Sequence, residues 1–510
     1  MKLTLFLSSL VLLLNLTSLA DSRPNIILIM SDDQGKETLG IHGALDYKTP
    51  VLDKIGNTGL VFDNCFSLPL CTPSRVKIMT GKYSFRNYEG FGGLPKGEKT
   101  FGHALQKAGY NTAICGKWQL GGKHEDILGF GWDEYTLCNG VIPKDPKETP
   151  LLKGKERYWY NSKIIHNGKY YVTDKVYGPD MVNEYACDFI KRKRDKPFFL
   201  YYPMILPHSP WAPTPHSESG DKSGAKICEV RYFKDNIEYI DHLVGNIIKT
   251  LEESGQRENT ILMFTGDNGS GYSTYCNAPS TEIRRMAAPS GNKHEEKIIE
   301  AGQKSPKLTN PKKGKPQYME GPVTRTSYGE VPGRKDTMLR DGTNVPCVMD
   351  WPRYREAINT MGHRHDDLID FSDFFATILE AAEASVDYST DGVSFLSRLR
   401  GEEKNERKFI FCHYWDFGRK PEGAQDAIHN AKYKIYNDGR FYDLTKDPEE
   451  KNTIPLDQLN EIQIKERAQL METYLDLRGM SLPIAKVSDK ASPARKSPKK
   501  KKSQLNNKKQ

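Results

Sequence analysis

Four short apolar runs, each followed directly by polar residues, constrain the fold of this chain more than any other feature. The runs span residues 26–30, 112–115, 198–202 and 261–264. Short runs that are apolar throughout are typical of strands buried on both faces of a parallel sheet. Stretches with helical character lie between them, such as 101–108 and 232–253. The alternation predicts an α/β fold with helices covering a parallel sheet.

The polar residues that follow these runs are expected to meet at one edge of the sheet. They are Asp32 and Asp33 after the first run, Lys117 and Gln119 after the second, His208 after the third, and Asp267 and Asn268 after the fourth. Ligands of open α/β sheets bind beyond the carboxyl ends of the strands. Each residue alone has a simpler interpretation as a turn former, a helix cap or a surface charge. Their common position after strands is what predicts a site.

Four of these residues form a candidate metal site. Asp32, Asp33, Asp267 and Asn268 offer only oxygen ligands, and three of the four are anionic. Hard ligands of this kind suit Ca²⁺, with Mg²⁺ as the alternative, rather than zinc. A divalent cation at this edge would polarise an oxyanion and orient an attacking group.

The stretch LCTPSRVKIMTG at 70–81 places a cysteine beside a helix start. We predict an N-cap at Thr72 and a helix end at Gly81. Cys71 then lies at the positive end of the helix dipole with Arg75 four residues on, a setting that favours anions and lowers the pKa of a thiol. On these residues alone, a disulfide cysteine next to a helix cap is an equally good interpretation.

Together these segments resemble the type I sulfatases, a family of the alkaline phosphatase superfamily that includes the arylsulfatases. CTPSR at 71–75 resembles the family's C-x-P-S-R motif. Further segments match in chain order at 23–34, 116–118, 207–210, 265–269, 333–335, 345–352 and 433–448. The resemblance runs from about residue 23 to about 455. It implies a large mixed, mostly parallel sheet sandwiched by helices, followed by a smaller α+β domain that contains an antiparallel sheet.

The resemblance also implies a chemistry for Cys71. In the family this cysteine is oxidised to formylglycine (3-oxoalanine) by a formylglycine-generating maturation enzyme, and the aldehyde is hydrated. One hydroxyl of the hydrate attacks the sulfur of a sulfate ester, and the alcohol leaves with a proton from His208 or Lys335. The second hydroxyl then loses its proton, which expels sulfate and regenerates the aldehyde, so covalent catalysis divides one difficult step into two.

Roles for individual residues follow from the same resemblance. The implied metal ligands are Asp32, Asp33, Cys71, Asp267 and Asn268. The implied substrate-binding residues are Lys117, His208, Lys335 and Gln119. The implied catalytic set is Cys71, Arg75, Lys117, His208 and Lys335. Within that set, Arg75 is expected mainly to hold the aldehyde hydrate and the metal carboxylates.

Gln119 departs from the family pattern, which usually has a histidine at this place. Glutamine can hydrogen-bond there but cannot accept a proton as a base. Either another group takes that role, with His124 the nearest candidate in sequence, or turnover is slow. We favour a surface-loop position for His124.

The two ends of the chain predict export and a basic tail. Lys2, an apolar run from Leu3 to about Leu14 and the small residues before position 21 predict a signal peptide at 1–20, and hence a secreted or periplasmic protein. The run is too short to span a bilayer, so no transmembrane anchor is expected. Residues 483–510 are expected to be a disordered, Lys-rich tail.

Between the ends we expect a catalytic domain at 21–400 and an antiparallel-sheet subdomain at 401–482. Residues 368–384 are predicted to form a helix that packs beneath the sheet. The catalytic domain contains an insertion at 269–332 with ten basic and six acidic residues. This insertion could bind a polyanionic glycan, or it could be a solvated surface segment. The sequence supports the two interpretations equally. An oxidising compartment would pair some of the nine cysteines.

The net charge does not indicate a specific nucleic-acid partner. Residues 486–510 carry a net charge of +9, whereas the whole chain carries +8, so the rest of the chain has a net charge of −1. We therefore expect a sulfatase that acts on a sulfated carbohydrate or another sulfate ester. Two alternatives remain. One is a phosphodiesterase or phosphonate hydrolase on the same scaffold, and the other is a non-catalytic protein that binds sulfated glycans, which Gln119 keeps open.

Overall fold

The computed structural model describes most of the chain from residue 23 to residue 480. The described ranges are 23–138, 159–160, 162–172, 175–192, 194–218, 220, 229–271, 322–403, 407–415 and 423–480. The predicted signal peptide, the basic tail, most of the insertion, Cys228 and Cys276 lie outside them. Within the described part, no helix is both long enough and apolar enough to cross a bilayer.

The strands of the described ranges form three sheets. They are β1 (Asn25–Ser31), β2 (Leu60–Phe66), β3 (Asn111–Gly116), β4 (Glu134–Cys138), β5 (Lys163–His166), β6 (Lys169–Val172), β7 (Phe198–Pro203), β8 (Thr260–Gly266), β9 (Val323–Thr326), β10 (Gly329–Pro332), β11 (Cys347–Asp350), β12 (Arg364–Asp370), β13 (Ile410–Tyr414), β14 (Gln425–His429), β15 (Tyr433–Tyr436) and β16 (Phe441–Asp443). The four predicted apolar runs correspond to β1, β3, β7 and β8.

The largest sheet has ten strands in the order β12-β2-β11-β8-β1-β7-β3-β4-β5-β6. The five central strands, from β8 to β4, are parallel. β11 and β5 are antiparallel to their neighbours. The prediction of a large mixed, mostly parallel sheet is confirmed. Because β1 lies between β8 and β7, with β3 next to β7, the carboxyl ends of the four predicted strands are adjacent.

Helices cover both faces of this sheet. The helices are α1 (Pro50–Thr58), α2 (Cys71–Thr80), α3 (Phe101–Lys107), α4 (His124–Gly129), α5 (Gly178–Lys191), α6 (Tyr232–Glu253), α7 (Arg340–Thr343), α8 (Arg355–Met361), α9 (Phe371–Ala381), α10 (Leu396–Leu399) and α11 (Glu461–Arg478). Alternate residues of β1 enter opposite layers, as strand geometry requires. Ile27 packs in one cluster with Val244 of α6, whereas Leu28 packs in the other with Val76 of α2 and Phe374 of α9.

The helix predicted at 368–384 begins later than expected. Leu368 and Ile369 belong to β12, where Ile369 pairs with Cys65 of β2. The helix α9 starts at Phe371 because the side chain of Asp370 accepts a hydrogen bond from the backbone N–H of Ser372 at 2.9 Å and caps it. The apolar residues before the cap resemble a first helical turn, which explains the error.

A second sheet follows the large one in the chain. Its four antiparallel strands have the order β13-β14-β15-β16, as predicted for the C-terminal region. α11 packs on it, and Leu470 and Tyr474 join Phe411, Ile428 and Ile435 in one buried cluster. Asn460 caps this helix through the N–H of Gln463.

A buried ion pair ties this sheet to the large one. The Nζ of Lys77 in α2 lies 2.7 Å from Oδ2 of Asp370 and 3.1 Å from the carbonyl oxygen of Phe411 in β13. Both charged side chains are at most 1% exposed. The pair therefore links α2, α9 and the C-terminal sheet.

Two further observations concern the insertion and the cysteines. The described end of the insertion forms a two-stranded hairpin of β9 and β10, for which no expectation was stated. The seven described cysteines are all free thiols, so the expected pairing is not found among them.

Candidate active site

The predicted polar residues converge at the carboxyl ends of the central strands. Asp32 and Asp33 directly follow β1, and Asp267 and Asn268 directly follow β8. The backbone N–H of Asp33 donates to Oδ1 of Asp267 at 3.0 Å, and Nδ2 of Asn268 donates to Oδ1 of Asp33 at 2.9 Å. Lys117, which follows β3, contacts Oδ2 of Asp32. The structure thus brings these five residues together.

The oxygen atoms of this cluster fit a hard cation. Oδ1 of Asp32 and Oδ1 of Asn268 are buried and have no hydrogen-bond partner among the described residues. A buried acceptor without a donor is costly, and coordination of a cation would satisfy it. Oxygens of Asp32 and Asp267 and the Sγ of Cys71 lie within 4.8 Å of one another, as do ligand atoms of Asp32, Asp33 and His208.

Each carboxylate of the cluster has a basic partner. Besides the contact of Lys117 with Asp32, Nζ of Lys335 lies 2.7 Å from Oδ2 of Asp33, and Nη2 of Arg75 lies 2.8 Å from Oδ2 of Asp267. With all three carboxyl groups ionised, these three pairs are neutral overall. A bound divalent cation would therefore leave an excess of positive charge, which an anionic ester would offset.

The pKa values of the two buried carboxyl groups next to Arg75 are shifted in opposite directions. Burial opposes the charge on Asp32, but Lys117, His208 and the other basic groups outweigh burial and lower the pKa of this carboxyl. Burial and the neighbouring charge of Asp32 raise the pKa of Asp267 to about 7. Asp32 is therefore the carboxylate that stays ionised at every pH of interest.

Cys71 occupies the first position of α2. The N-cap is Leu70, so the predicted N-cap at Thr72 is wrong, while Gly81 ends the helix in the left-handed region with a φ of 68° as expected. The Cys71 side chain is 1% exposed. Burial raises the pKa of its thiol and outweighs Lys117 and Lys335, so the predicted lowering is also wrong. As a thiol, Cys71 is neutral and a poor nucleophile.

Arg75 links α2 to the carboxylates. One guanidinium nitrogen bonds Asp267 and lies 4.0 Å from Oδ1 of Asp32. The other donates to the carbonyl oxygen of Lys117 at 3.0 Å. The side chain thus spans the residues that follow β1, β3 and β8.

His208 and Lys335 differ in their protonation state at neutral pH. Nδ1 of His208 lies 2.5 Å from the carbonyl oxygen of Ser209, so this nitrogen is the donor, and Nε2 lies 3.7 Å from Oδ2 of Asp33. Burial lowers the pKa of His208, which leaves Nε2 unprotonated at neutral pH. Burial also opposes the charge on Lys335, but the carboxylate of Asp33 outweighs it and raises the pKa of this amine. Lys335 therefore keeps its proton.

The position of Gln119 combines burial with an uncommon backbone conformation. Its φ is 58°, in the left-handed region, and its Oε1 is buried with no hydrogen-bond partner among the described residues.

His124 begins α4 instead of lying in a loop, and its Nδ1 lies 2.5 Å from the hydroxyl of Tyr135. One ring nitrogen of His124 is thus engaged in packing α4 against β4.

Sequence reasoning missed a buried pair close in the chain to the metal-site residues. Ser270 donates through its hydroxyl to Glu37 and accepts from the N–H of Gly35 at 3.2 Å. Burial raises the pKa of Glu37 to about 7. Ser270 lies two residues after Asn268, which is a usable signal, whereas Glu37 lies within a single 3₁₀ turn, Lys36–Thr38, and no pattern marks it.

Two family models match this chain. A model described as sulfatase matches residues 24–384, and one described as N-sulphoglucosamine sulphohydrolase, C-terminal, matches residues 334–476. The N-acetylgalactosamine-6-sulfatase of Homo sapiens is 33% identical over 279 residues, which cover 49% of this chain and 51% of the relative. The chain thus spans about half the length of the mammalian N-acetylgalactosamine-6-sulfatases it matches.

A bacterial relative and solved structures match over most of the chain. The N-acetylgalactosamine-6-O-sulfatase of Bacteroides thetaiotaomicron is 24% identical over 528 residues, covering 88% of this chain and 93% of the relative. The fold matches the structure of a protein in complex with its substrate D-glucosamine-2-N,6-O-disulfate, with a TM-score of 0.63, 20% identity, and coverage of 90% and 98% of the two chains. Because the first family model covers more than half of the sequence, the chain belongs to the sulfatase family.

Proposed function

We propose that this protein is a sulfatase that hydrolyses sulfate esters of sulfated carbohydrates, with formylglycine made from Cys71 and a bound divalent cation. The observation that carries the proposal is the proximity of Cys71 Sγ to oxygens of Asp32 and Asp267, within 4.8 Å. Lys117 and Lys335 contact the same carboxylate cluster. A tetrahedral anion at this point would meet a nucleophile, a cation site and two amines.

The residues that would hold the cation are Asp32, Asp33, Asp267 and Asn268, with the oxygen atoms of the modified residue 71. This donor set favours Ca²⁺, with Mg²⁺ as the alternative. When bound, the cation withdraws charge from a sulfate oxygen and stabilises negative charge in the transition state. The hydrated aldehyde would supply one hydroxyl as nucleophile and a second hydroxyl for the release of sulfate, and the Sγ of Cys71 stands in for these oxygens.

The amines of the site would bind the sulfate and protonate the leaving group. Asp32 outweighs burial and raises the pKa of Lys117, so both lysines are cationic and suited to hold sulfate oxygens. Of the two candidates for the proton donor to the leaving alcohol, Lys335 carries a proton at neutral pH and His208 does not. Lys335 is therefore our choice, and His208 would orient the substrate through its unprotonated Nε2, which can accept a hydrogen bond from a hydroxyl group of the sugar.

Substrate class is inferred from the relatives. Several have names that specify sulfated amino sugars, and one matched structure holds a disulfated glucosamine. We extend this chemistry to the present chain. Export through a signal peptide at 1–20, maturation by a formylglycine-generating enzyme, and domains at 21–400 and 401–482 remain parts of the proposal.

The test is sulfate release by protein produced together with the maturation enzyme. Mass spectrometry of the peptide containing residue 71 measures conversion, and ion chromatography measures sulfate released from 6-sulfated N-acetylgalactosamine, 6-sulfated N-acetylglucosamine and an aryl sulfate. Cys71→Ala should abolish release, whereas the control Cys187→Ser, at a partly buried thiol in α5, should not.

Each alternative function predicts a different result. Faster hydrolysis of an aryl phosphate than of the matching aryl sulfate would favour the phosphodiesterase or phosphonate hydrolase. Tight binding of sulfated sugars without release of sulfate, by protein with residue 71 fully converted, would favour a non-catalytic glycan-binding protein.

A further inference from the structure

Asp336, the residue after Lys335, has an uncommon backbone conformation. Its φ is 68°, in the left-handed region that non-glycine residues seldom adopt. Contacts of both its backbone and its side chain hold it there. Its backbone N–H donates to the carbonyl oxygen of Pro69 at 2.9 Å, and its Oδ1 accepts a hydrogen bond from the hydroxyl of Tyr414. The conformation therefore depends on partners far away in the chain.

These two partners connect Asp336 to different parts of the proposed site. Pro69 lies two residues before Cys71, and Tyr414 is the last residue of β13 in the C-terminal sheet. On its other side, Asp336 is bonded to Lys335, whose N–H donates to the carbonyl oxygen of Ser270 at 3.2 Å. One residue thus joins the loop before α2, the segment of Lys335 and the C-terminal sheet.

Apolar packing supports the same connection. Leu70, Met338 and Tyr414 belong to one buried cluster, which the C-terminal sheet completes with residues such as Tyr442. The Nζ of Lys434 in β15 also contacts the carbonyl oxygen of Met338. The C-terminal sheet therefore packs against both segments that flank the reacting atoms.

We propose that Asp336, held by the hydroxyl of Tyr414, is a positioning residue that fixes Lys335 relative to residue 71, so that the C-terminal sheet sets the geometry of the sulfate site. The inference rests on the proposed sulfatase function. Loss of the Tyr414 hydroxyl removes this hydrogen bond to Asp336 and weakens the restraint on its left-handed backbone. A change in φ at residue 336 redirects the chain on either side and moves the amine of Lys335 away from the sulfate.

The variant that tests this is Tyr414→Phe, which keeps the ring in the cluster and removes only the hydroxyl. Its control is Tyr442→Phe, in the same cluster, where the lost hydroxyl partner is Arg440. On an aryl sulfate, we expect kcat of Tyr414→Phe to fall by about tenfold to a hundredfold, the range for a displacement of about 1 Å in an active site. The Tm values of the two variants should agree within about 2 °C.

Substitutions of Asp336 separate positioning from general stability. Asp336→Asn keeps an oxygen acceptor for Tyr414 and a residue that tolerates the left-handed region, so it should retain most of the activity. Asp336→Ala keeps neither and should reproduce the loss seen with Tyr414→Phe. Equal kcat values for Asp336→Asn and Asp336→Ala would overturn the inference, as would a kcat of Tyr414→Phe equal to that of its control.

Binding of inorganic sulfate provides a readout that does not depend on turnover. Isothermal titration of matured protein should show about tenfold weaker sulfate binding for Tyr414→Phe and Asp336→Ala, and unchanged binding for Tyr442→Phe. A wild-type protein that binds sulfate but hydrolyses no ester would refute the proposed function alone. Unchanged sulfate binding in Tyr414→Phe and Asp336→Ala would refute the positioning role.

Discussion

Replacement of Lys77 by methionine should destabilise the protein measurably. Lys77→Met removes the partner of Asp370 in a site where both side chains are at most 1% exposed. An uncompensated buried charge costs about 3–5 kcal/mol. Unfolding entropy is about 2.1 cal/mol/K per residue, so over 510 residues 1 kcal/mol corresponds to about 1 °C in Tm. We therefore expect Tm to fall by about 3–5 °C.

The chain offers a closely matched control for this variant. The Nζ of Lys82 lies 2.7 Å from Oε1 of Glu98 and over the ring of Tyr388. The Nζ of Lys77 has the same two kinds of contact, with Asp370 at 2.7 Å and with the ring of Tyr83. The Lys82 side chain is 21% exposed, so Lys82→Met should cost only about 0–1 kcal/mol.

The two variants are compared by differential scanning calorimetry. The double variant Lys77→Met/Asp370→Asn should recover part of the loss, with a coupling energy of about 2 kcal/mol, because it leaves no charge unpaired. Equal Tm values for Lys77→Met and Lys82→Met would refute the reasoning, since burial would then make no difference to the pair.

Three further outcomes are expected. Burial raises the pKa of Glu37 from its ordinary value of 4.5 to about 7, so the stabilisation that the protonated side chain gives is present below pH 4.5 and is lost as pH rises through 7. Glu37→Gln should therefore match the wild type in Tm at pH 5 and exceed it by up to about 3 °C at pH 8. Calcium at a hundred times its Kd should raise Tm by about 3 °C in the wild type and not in Asp32→Asn, as measured by calorimetry after treatment with a chelator. Gln119→His, which restores a base, should raise kcat on an aryl sulfate at least about tenfold, and an unchanged kcat would show that another group already acts there.

Burial on both faces made the central strands predictable. The runs 26–30 and 261–264 were found as β1 and β8, each extended by one or two residues at its ends. Their polar ends meet because parallel neighbours finish at the same edge of the sheet. The order of the ten strands was not predictable, since no local pattern records which strand pairs with which.

The errors at the site arise from burial that the sequence does not display. The helix dipole and nearby lysines favour a low pKa for Cys71, but burial outweighs them. Similarly, the contact between Asp336 and Tyr414 joins residues 78 positions apart, and neither residue belongs to a motif. Such contacts depend on tertiary packing, so sequence patterns identified the predicted site residues but not the residues that hold them.

The burial of Cys71 has a consequence for the timing of biosynthesis. An enzyme that oxidises this thiol has to take the cysteine and its neighbours into its own cleft. With 1% of the side chain exposed and all of α2 enclosed, the finished fold denies that access. If residue 71 is converted to formylglycine as proposed, the oxidation has to precede folding, while the nascent chain is still extended, and a molecule that folds unmodified keeps its thiol.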